Sequence, residues 1–182
     1  MSILPITIYG DKILREKTKP VSDVDIQTIK EIKAMFATMR NANGIGLAAN
    51  QVGLNKSIFV IDVSPVEGYE KIKPIVMINP KIILTSDDKI QMEEGCLSVP
   101  NLRAGVIRPK EIKVAYQDTD MNELTLEANE LFARVIQHEF DHLQGVFFTD
   151  KISEEEKKKV KKELNRIKTR KIDVDYPIAD KD

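Results

Sequence analysis

The sequence has one cysteine, two histidines and no tryptophan among its 182 residues. The single cysteine, Cys96, excludes an intrachain disulfide framework, so it is available as a core residue, a nucleophile or a metal ligand. Long hydrophobic runs are missing as well, because no apolar stretch approaches the ~20 residues that a membrane-spanning helix needs. Residues 1–10 lack the basic start and small-residue cleavage site of a signal peptide. These absences predict a cytoplasmic protein with no membrane partner.

An excess of charge of one sign is also absent. The chain has 28 lysines and arginines against 29 acidic residues and a formal net charge of -1, which argues against a protein built for specific DNA binding. A hydrophobic content of 42% with 31% charged residues fits one globular domain with a sizeable core. The sequence therefore predicts a single domain over residues 1–171, which includes a C-terminal basic helix over 153–171. Residues 172–182 are expected to form a disordered tail.

The predicted elements are mixed, without internal repeats and without helical crossovers between the strands. Helices are predicted over 22–43, over 129–144 and over 153–171, and the second of these is apolar on nearly every side, as a buried central helix would be. Short antiparallel strands fill the interval between the first two helices. The fold class is therefore expected to be α+β. The strand candidates are 57–63, 75–78, 81–84, 111–116 and 123–126.

Both histidines lie on the predicted central helix, in the pattern His138-Glu139-Phe140-Asp141-His142. Residues four apart share one face of a helix, so the two imidazoles can bind one divalent ion. Glu139 then lies beside the ion without binding it, where it can take a proton from water and pass it to a leaving amine. The pattern predicts metal-assisted amide hydrolysis. The alternative is two core histidines beside a chance glutamate, each ring needing its own polar partner.

A catalytic metal site usually has three protein ligands, so a third ligand must come from elsewhere in the chain. The downstream glutamates lie on a predicted surface helix, where solvated charges are their more ordinary role. Cys96 is the other candidate, because it lies in Glu94-Gly95-Cys96-Leu97-Ser98, where a glycine allows the backbone to bend toward an ion. A lone cysteine is more often an inert core residue, so both interpretations stay open at this point.

A third segment, residues 44–51 (GIGLAANQ), is small and apolar and runs into a predicted strand. It lacks the lysine and hydroxyl residue of a phosphate-binding loop, so nucleotide binding is rejected. Its glycines and alanines allow close approach of the backbone, and Gln51 offers an amide donor. Taken alone, the segment is equally well explained as a packing turn.

Together and in this order, residues 44–51, 94–98 (EGCLS) and 137–142 (QHEFDH) resemble the three motifs of the peptide deformylase family. The resemblance extends from about Leu4 to about Ile167. It implies an α+β fold in which antiparallel β-sheets pack around a central metal-binding helix, with a C-terminal surface helix. It also implies removal of the formyl group, as formate, from the N-terminal formyl-methionine of newly synthesised polypeptides.

The resemblance implies a metal centre and roles around it. One divalent ion per chain is expected, with Fe²⁺ as the native metal and Zn²⁺, Ni²⁺ or Co²⁺ as substitutes in preparations. Glu139 would act as general base and then as general acid. Gln51 and the backbone N–H of Leu97 would donate hydrogen bonds to the developing oxyanion. The expected metal ligands are Cys96, His138 and His142.

Other positions match the pocket and the supporting residues of the family. An ion pair between Glu94 and Arg103 would brace the cysteine loop, and Asp141 would support a metal ligand. Arg134 stands where relatives often have an apolar residue, which predicts a more polar pocket rim or an arginine that reaches to solvent. The residues expected to bind the methionine side chain are Ile45, Gly46, Met92, Leu131 and Val135.

Two other functions stay open. An HExxH zinc endopeptidase would use an acidic ligand downstream and would not need Cys96. A non-enzymatic metal module or ribosome-binding protein is favoured by residues 157–171, which carry nine lysines and arginines and one acid, Glu163. This charge distribution also suits the helix dipole. In a deformylase, whose partners are N-formylmethionyl nascent peptides, we expect the basic helix to contact the ribosome near the exit tunnel.

Overall fold

The computed structural model describes residues 2–181, so Met1 and Asp182 lie outside the described part of the chain. Helices and antiparallel strands are both present, and the predicted α+β class is confirmed. Within residues 2–181, no helix is both long and apolar enough to cross a membrane. In chain order the helices and strands are α1 (Ile26–Asn41), β1 (Gly46–Ala48), β2 (Ile58–Ile61), β3 (Ile75–Thr85), β4 (Lys89–Cys96), β5 (Val99–Pro109), β6 (Glu111–Gln117), β7 (Glu123–Asn129), α2 (Glu130–Leu143) and α3 (Glu154–Lys168).

The strands form two antiparallel sheets. Five strands pair in the order β1-β2-β3-β6-β7, and β4 and β5 form a separate two-stranded hairpin. The predicted strands 75–78 and 81–84 are one long strand, β3, whose register shifts around Asn79, a residue with φ of 50°. Strand β5 was not among the predicted strands, because Pro100, Gly105 and Pro109 interrupt its pattern.

Helix α2 lies in the centre of the molecule, as its apolar circumference predicted. Its apolar side chains pack with those of the five-stranded sheet in one continuous core, while its other side points toward the β4-β5 hairpin. Polar side chains on such a helix must find partners inside the protein, because water does not reach them. The buried residues of α2 are Phe132, Ala133, Arg134, Val135, Ile136, Gln137, His138, Glu139, His142 and Leu143.

The C-terminal part of the chain begins with α3, which lies on the surface. Ser153 caps its first turn, with the Glu156 N–H donating to Ser153 Oγ at 3.2 Å and the Ser153 N–H donating to the Glu156 carboxylate at 3.2 Å. Ile167 is fully buried and anchors the far end of the helix in the core beneath it.

Residues 172–181, for which we predicted disorder, instead fold back against the N-terminal segment. Ile6 and Ile178 form a parallel bridge, with the Ile6 N–H donating to Pro177 O at 2.9 Å and the Ala179 N–H donating to Ile6 O at 2.8 Å. The last residue of the predicted tail, Asp182, lies outside the described residues. The ordering partner is at the opposite end of the chain, so no local pattern could reveal it.

Candidate active site

Three side chains with metal-binding atoms meet where the end of β4 faces α2. Cys96 Sγ lies 3.1 Å from His142 Nε2, and His142 Nε2 lies 3.2 Å from His138 Nε2. The three ligand atoms all lie within 4.8 Å of one another. One thiolate and two imidazoles at these separations fit a single divalent transition-metal ion and leave room for a further ligand.

The orientation of His138 is set by Glu94. The Nδ1 atom of His138 lies 2.8 Å from Glu94 Oε2, so its Nε2 atom points at Cys96 and His142. A carboxylate on the second ring nitrogen is the usual way in which proteins orient a metal-binding histidine. Burial lowers the pKa of His142, and the neighbouring His138 lowers it further, which favours the neutral ring that a metal ligand requires.

Glu94 lies between two buried arginines. Arg108 donates to both Glu94 oxygens, from Nε at 2.6 Å and from Nη2 at 2.9 Å, and Arg134 donates from Nη1 at 2.7 Å. Burial by itself would raise the pKa of Glu94, but the hydrogen bonds from Arg108 and His138 hold it well below its ordinary range. Glu94 is therefore a carboxylate with a fixed position and a fixed charge.

The expected ion pair between Glu94 and Arg103 does not form. Strands β4 and β5 pair Glu94 with Ala104 and Gly95 with Arg103, and side chains at successive strand positions point to opposite faces. Arg103 is consequently on the outer face, where its Nη1 lies 3.6 Å from Glu93 and most of its side chain is exposed. The residues that do pair with Glu94 are Arg108 and Arg134, and the sequence did not indicate either of them.

Arg134 is among the residues that line the cleft, which agrees with the more polar of its two expected roles, but it does not reach to solvent. It is buried, and besides its bond to Glu94 it donates to Val106 O at 2.7 Å and to Ile90 O at 2.6 Å. Asp141 does not contact a histidine ring through its carboxylate; it accepts a hydrogen bond from Arg108 Nη1 at 2.6 Å. Its support for the ligands is indirect, through Arg108 and Glu94.

Glu139 lies beside the three ligand atoms and is deeply buried. Burial raises the pKa of its carboxyl to about 7, and its Oε2 atom has no hydrogen-bond partner among residues 2–181. A buried carboxylate oxygen without a partner is costly unless a water molecule or ligand supplies one. The adjoining Gly46 makes room for this group, because a Cβ at that position would overlap with the Glu139 carboxylate.

Gln51 presents its amide nitrogen to the same space. The Ala48 N–H donates to Gln51 Oε1 at 2.8 Å, which turns the NH₂ group toward Ser98 Oγ at 3.1 Å and Cys96 Sγ at 3.5 Å. Leu97 occupies the turn between β4 and β5, directly after Cys96. The small residues of 44–51 allow this proximity, since a Cβ on Gly44 would overlap with the Leu97 side chain.

These groups lie in a cleft of about 770 Å³. Of the expected methionine-binding residues, Met92 does not line this cleft, whose wall along β4 begins at the next residue, Glu93. Residues 173–176 line the cleft although sequence reasoning placed them in a disordered tail. The expected methionine-binding residues that do line it are Ile45, Gly46, Leu131 and Val135.

Comparison with known proteins gives a consistent match over nearly the whole chain. The family model described as "Polypeptide deformylase" matches residues 3–158. A peptide deformylase of Prosthecochloris aestuarii is 46% identical over 178 residues, which cover 98% of this chain and 95% of the relative. The crystal structure of peptide deformylase from Ehrlichia chaffeensis has a TM-score of 0.85 at 37% identity, covering 93% of this chain and 97% of its own. For the enzyme from Thermus thermophilus the TM-score is 0.84 at 35% identity, over 92% and 99% of the two chains.

Proposed function

Because this chain belongs to the peptide deformylase family, it is a metal-dependent hydrolase that removes the N-formyl group of nascent polypeptides, and we propose that the reaction takes place beside Cys96, His138 and His142. One observation carries this assignment: three metal-binding atoms converge in a cleft next to a buried glutamate. The zinc endopeptidase alternative is not favoured by the relatives.

Cys96, His138 and His142 would hold one divalent ion. When bound, that ion supplies Lewis-acid chemistry, polarising the formyl carbonyl and making water more acidic. We propose Fe²⁺ as the native metal, with Zn²⁺, Ni²⁺ and Co²⁺ able to take its place. Divalent affinity alone would favour zinc over iron, so iron loading reflects metal availability and the geometry of the ligands.

Glu139 would move the proton of the reaction. Its unpartnered Oε2 atom is the acceptor available to a water molecule that attacks the formyl carbon. The same carboxyl group then gives the proton to the amine nitrogen of methionine as the C–N bond breaks. Formate and a free amino terminus are the products.

Gln51 and the Leu97 N–H would stabilise the charge that develops on the formyl oxygen. The Gln51 amide is fixed by Ala48 and Ser98, so it need not reorganise during the reaction. Ile45, Gly46, Leu131 and Val135 would receive the methionine side chain, whose length and flexibility suit an apolar groove. Glu94 and Asp141 would not contact the substrate. Glu94 would orient the ring of His138, and Asp141 would hold Arg108, which in turn holds Glu94.

Formate release from a formyl-Met-Ala peptide by anaerobically prepared protein tests this function. Elemental analysis of the same preparation identifies the metal, and Cys96→Ala should lose both the metal and the activity. A peptide of the same sequence without the formyl group is the matched control. Cleavage of an internal peptide bond, with metal retained in Cys96→Ala, would favour the endopeptidase instead.

The cytoplasm is the compartment in which we propose that the enzyme acts, with docking at the ribosome through α3. Several basic residues of the helix are neutralised locally, since Lys157 and Lys159 pair with Glu154 and Glu155. No acidic partner lies within salt-bridge distance of Lys158, Lys161 or Lys162 in the described chain, and spacings of three and four residues put them on one face. The exposed face formed by these three lysines would contact ribosomal RNA.

Co-sedimentation with ribosomes tests the docking proposal. Changing Lys158, Lys161 and Lys162 to Gln should weaken co-sedimentation at low salt and flatten its dependence on salt, because phosphate contacts release counterions. Peptide deformylation should be unchanged. The matched control changes Lys30, Lys33 and Lys71, which are exposed elsewhere. Equal co-sedimentation by both triple variants would contradict the proposal.

A further inference from the structure

The C-terminal segment 173–176 forms one side of the cleft. It lies beyond residues 3–158, which the family model matches, so its role does not follow from that match. The segment is held from outside the cleft as well: Asn101 Nδ2 donates to Asp173 O at 3.1 Å, and the bridge between Ile6 and Ile178 follows directly. The cleft therefore has a wall made by the end of the chain.

Tyr176 is the residue of this wall that reaches the catalytic turn. Its hydroxyl donates a hydrogen bond to Leu97 O at 2.7 Å, across 79 positions of sequence. Its ring is half-buried and packs against the apolar cluster formed by α1, β1 and β2. A tyrosine hydroxyl is protonated at neutral pH and can donate, and burial raises the pKa of the Tyr176 hydroxyl further.

The turn that Tyr176 contacts is short and is fixed from several directions. Leu97 and Ser98 alone separate the paired residues Cys96 and Val99. The backbone N–H of Tyr9 donates to Ser98 O at 2.7 Å, and Gln51 donates to Ser98 Oγ at 3.1 Å. Among residues 2–181, the Tyr176 hydroxyl is the only group that donates a hydrogen bond to the Leu97 carbonyl.

Fixing this carbonyl constrains the neighbouring peptide group. Peptide units are planar, so the backbone of Leu97 has two soft torsions between its N–H and its C=O. With the Cys96 side chain at the cluster of ligand atoms and the Leu97 carbonyl held by Tyr176, rotation of the Leu97 N–H is restricted from both sides. A donor fixed in advance stabilises a developing oxyanion better than one that must reorient.

We propose that Tyr176 is a positioning residue for deformylation, whose hydroxyl holds the Leu97 carbonyl so that the Leu97 N–H stays aimed at the formyl oxygen. This inference rests on the proposed function of Leu97 as an oxyanion donor. Tyr176 itself does not touch the reacting atoms. The C-terminal segment thus contributes to the chemistry as well as to the wall of the cleft.

A purely tethering function of the same hydrogen bond makes different predictions. The segment has anchors that do not involve the Tyr176 hydroxyl, among them the Ile6–Ile178 bridge and the hydrogen bonds from Arg170 Nη2 to Ala179 O and Asp180 O at 3.3 and 3.2 Å. Tyr176→Phe keeps the ring and these anchors and removes only the donor. The variant therefore separates positioning of Leu97 from attachment of the tail.

Steady-state kinetics on formyl-Met-Ala should show that Tyr176→Phe lowers kcat about 3- to 10-fold, the range expected for one lost hydrogen bond, with KM changed less than about twofold. Metal content should be unchanged. Amide hydrogen exchange should accelerate at Leu97 and Ser98 but not at Ala179, which reports on the tail anchor. Tyr116→Phe, which removes a tyrosine hydroxyl on β6 away from the cleft, is the matched control.

The same measurements on Gln51→Ala distinguish a failure of the proposed oxyanion donors from a failure of the positioning function of Tyr176. An unchanged kcat in Tyr176→Phe, with a large loss in Gln51→Ala, would leave the oxyanion site intact and overturn the function of Tyr176. A rise in KM at constant kcat would show that Tyr176 contributes only to the wall of the cleft, and it would also overturn the positioning function. If neither variant lowers kcat, the proposed oxyanion donors are wrong, and the inference falls with them.

Discussion

The Nδ1 atom of His138 and the Oε2 atom of Glu94 lie 2.8 Å apart, and this contact determines which nitrogen of the ring faces the other metal ligands. Glu94 can serve in this way because two buried arginines hold its oxygens. Arg108 extends the network to Asp141 on the helix that carries the histidines. The hairpin that supplies Cys96 and the helix that supplies His138 are thus joined by charged hydrogen bonds directly behind the ligands.

Replacing Glu94 by Gln should weaken metal binding about 10- to 100-fold, the usual effect of losing a partner that orients a metal ligand. Glutamine preserves the shape but removes the acidic partner of Arg134 and leaves Arg108 paired with Asp141 alone, so the free energy of unfolding should also fall, by about 3–5 kcal/mol. Competition with a chelator measures the first effect and chemical denaturation the second.

Arg103→Ala is the control for that variant. Because Arg103 lies on the exposed outer face of the hairpin, its removal should change metal affinity little and stability by no more than about 0.5 kcal/mol. If Arg103→Ala lost as much metal as Glu94→Gln, the result would instead support the ion pair between Glu94 and Arg103 that the sequence suggested.

Glu139→Gln should retain the metal and the fold while kcat falls by about 10²- to 10⁴-fold, since the change removes proton transfer and little else. Glutamine fits the space beside Gly46 because it has nearly the same volume. Elemental analysis and thermal unfolding establish that the site is intact, and formate release gives the rate. Turnover within a few-fold of the parent enzyme would remove Glu139 from the mechanism.

The parts of the site that depend on local sequence could be predicted. Histidines four residues apart must share a face of any α-helix, and the apolar residues around His138 and His142 indicated that this helix is central. The Ser153 and Glu156 pair located the start of α3 for the same reason, since a capping box is a local pattern. Each of these predictions needs only the geometry of one helix.

The parts that depend on strand pairing could not be predicted. Whether Glu94 meets Arg103 or Arg108 depends on the register of β4 against β5, and a shift of one residue exchanges the two faces of the hairpin. Two prolines and a glycine interrupt the strand pattern of β5, so its register against β4 could not be predicted from the sequence. Tyr176 reaches Leu97 in a segment that is held by contacts distant in sequence, among them the bridge between Ile178 and Ile6 at the two ends of the chain.

Asp62, which does not itself line the cleft, makes stability depend on pH. Burial would raise the pKa of Asp62, but hydrogen bonds from the Ser64 hydroxyl at 2.6 Å and from Arg40 at 2.8 Å outweigh it and lower the pKa below the ordinary 3.8. A carboxyl group whose pKa is lower in the folded state stabilises the fold above its unfolded pKa and loses that contribution as pH falls through the folded value.

Asp62→Asn should therefore have a lower Tm than the parent protein at pH 7, with a constant difference down to about pH 5 and a shrinking one below about pH 4. Thermal unfolding at fixed ionic strength measures this difference, and metal loss in acid affects both proteins alike. Arg40→Gln should show the same trend to a smaller extent, because the Ser64 hydrogen bond remains. A Tm difference that grows in acid would contradict the assignment.

Gly46 provides a test of how closely the glutamate must be placed. A Cβ at this position would overlap with Oε1, Cδ and Cγ of Glu139, all of which are buried in a packed site, so the carboxylate of Gly46→Ala must shift. Misplacement of a catalytic group by about 1 Å costs on the order of 10²-fold in rate. We expect kcat to fall by about 10- to 100-fold while the metal is retained, because the three atoms nearest to the new Cβ all belong to Glu139 and none to a metal ligand. Gly105→Ala is the matched control, since its new Cβ meets the end of the flexible Gln91 side chain, which can move away. Full activity of Gly46→Ala would show that Glu139 has more freedom than the structure gives it.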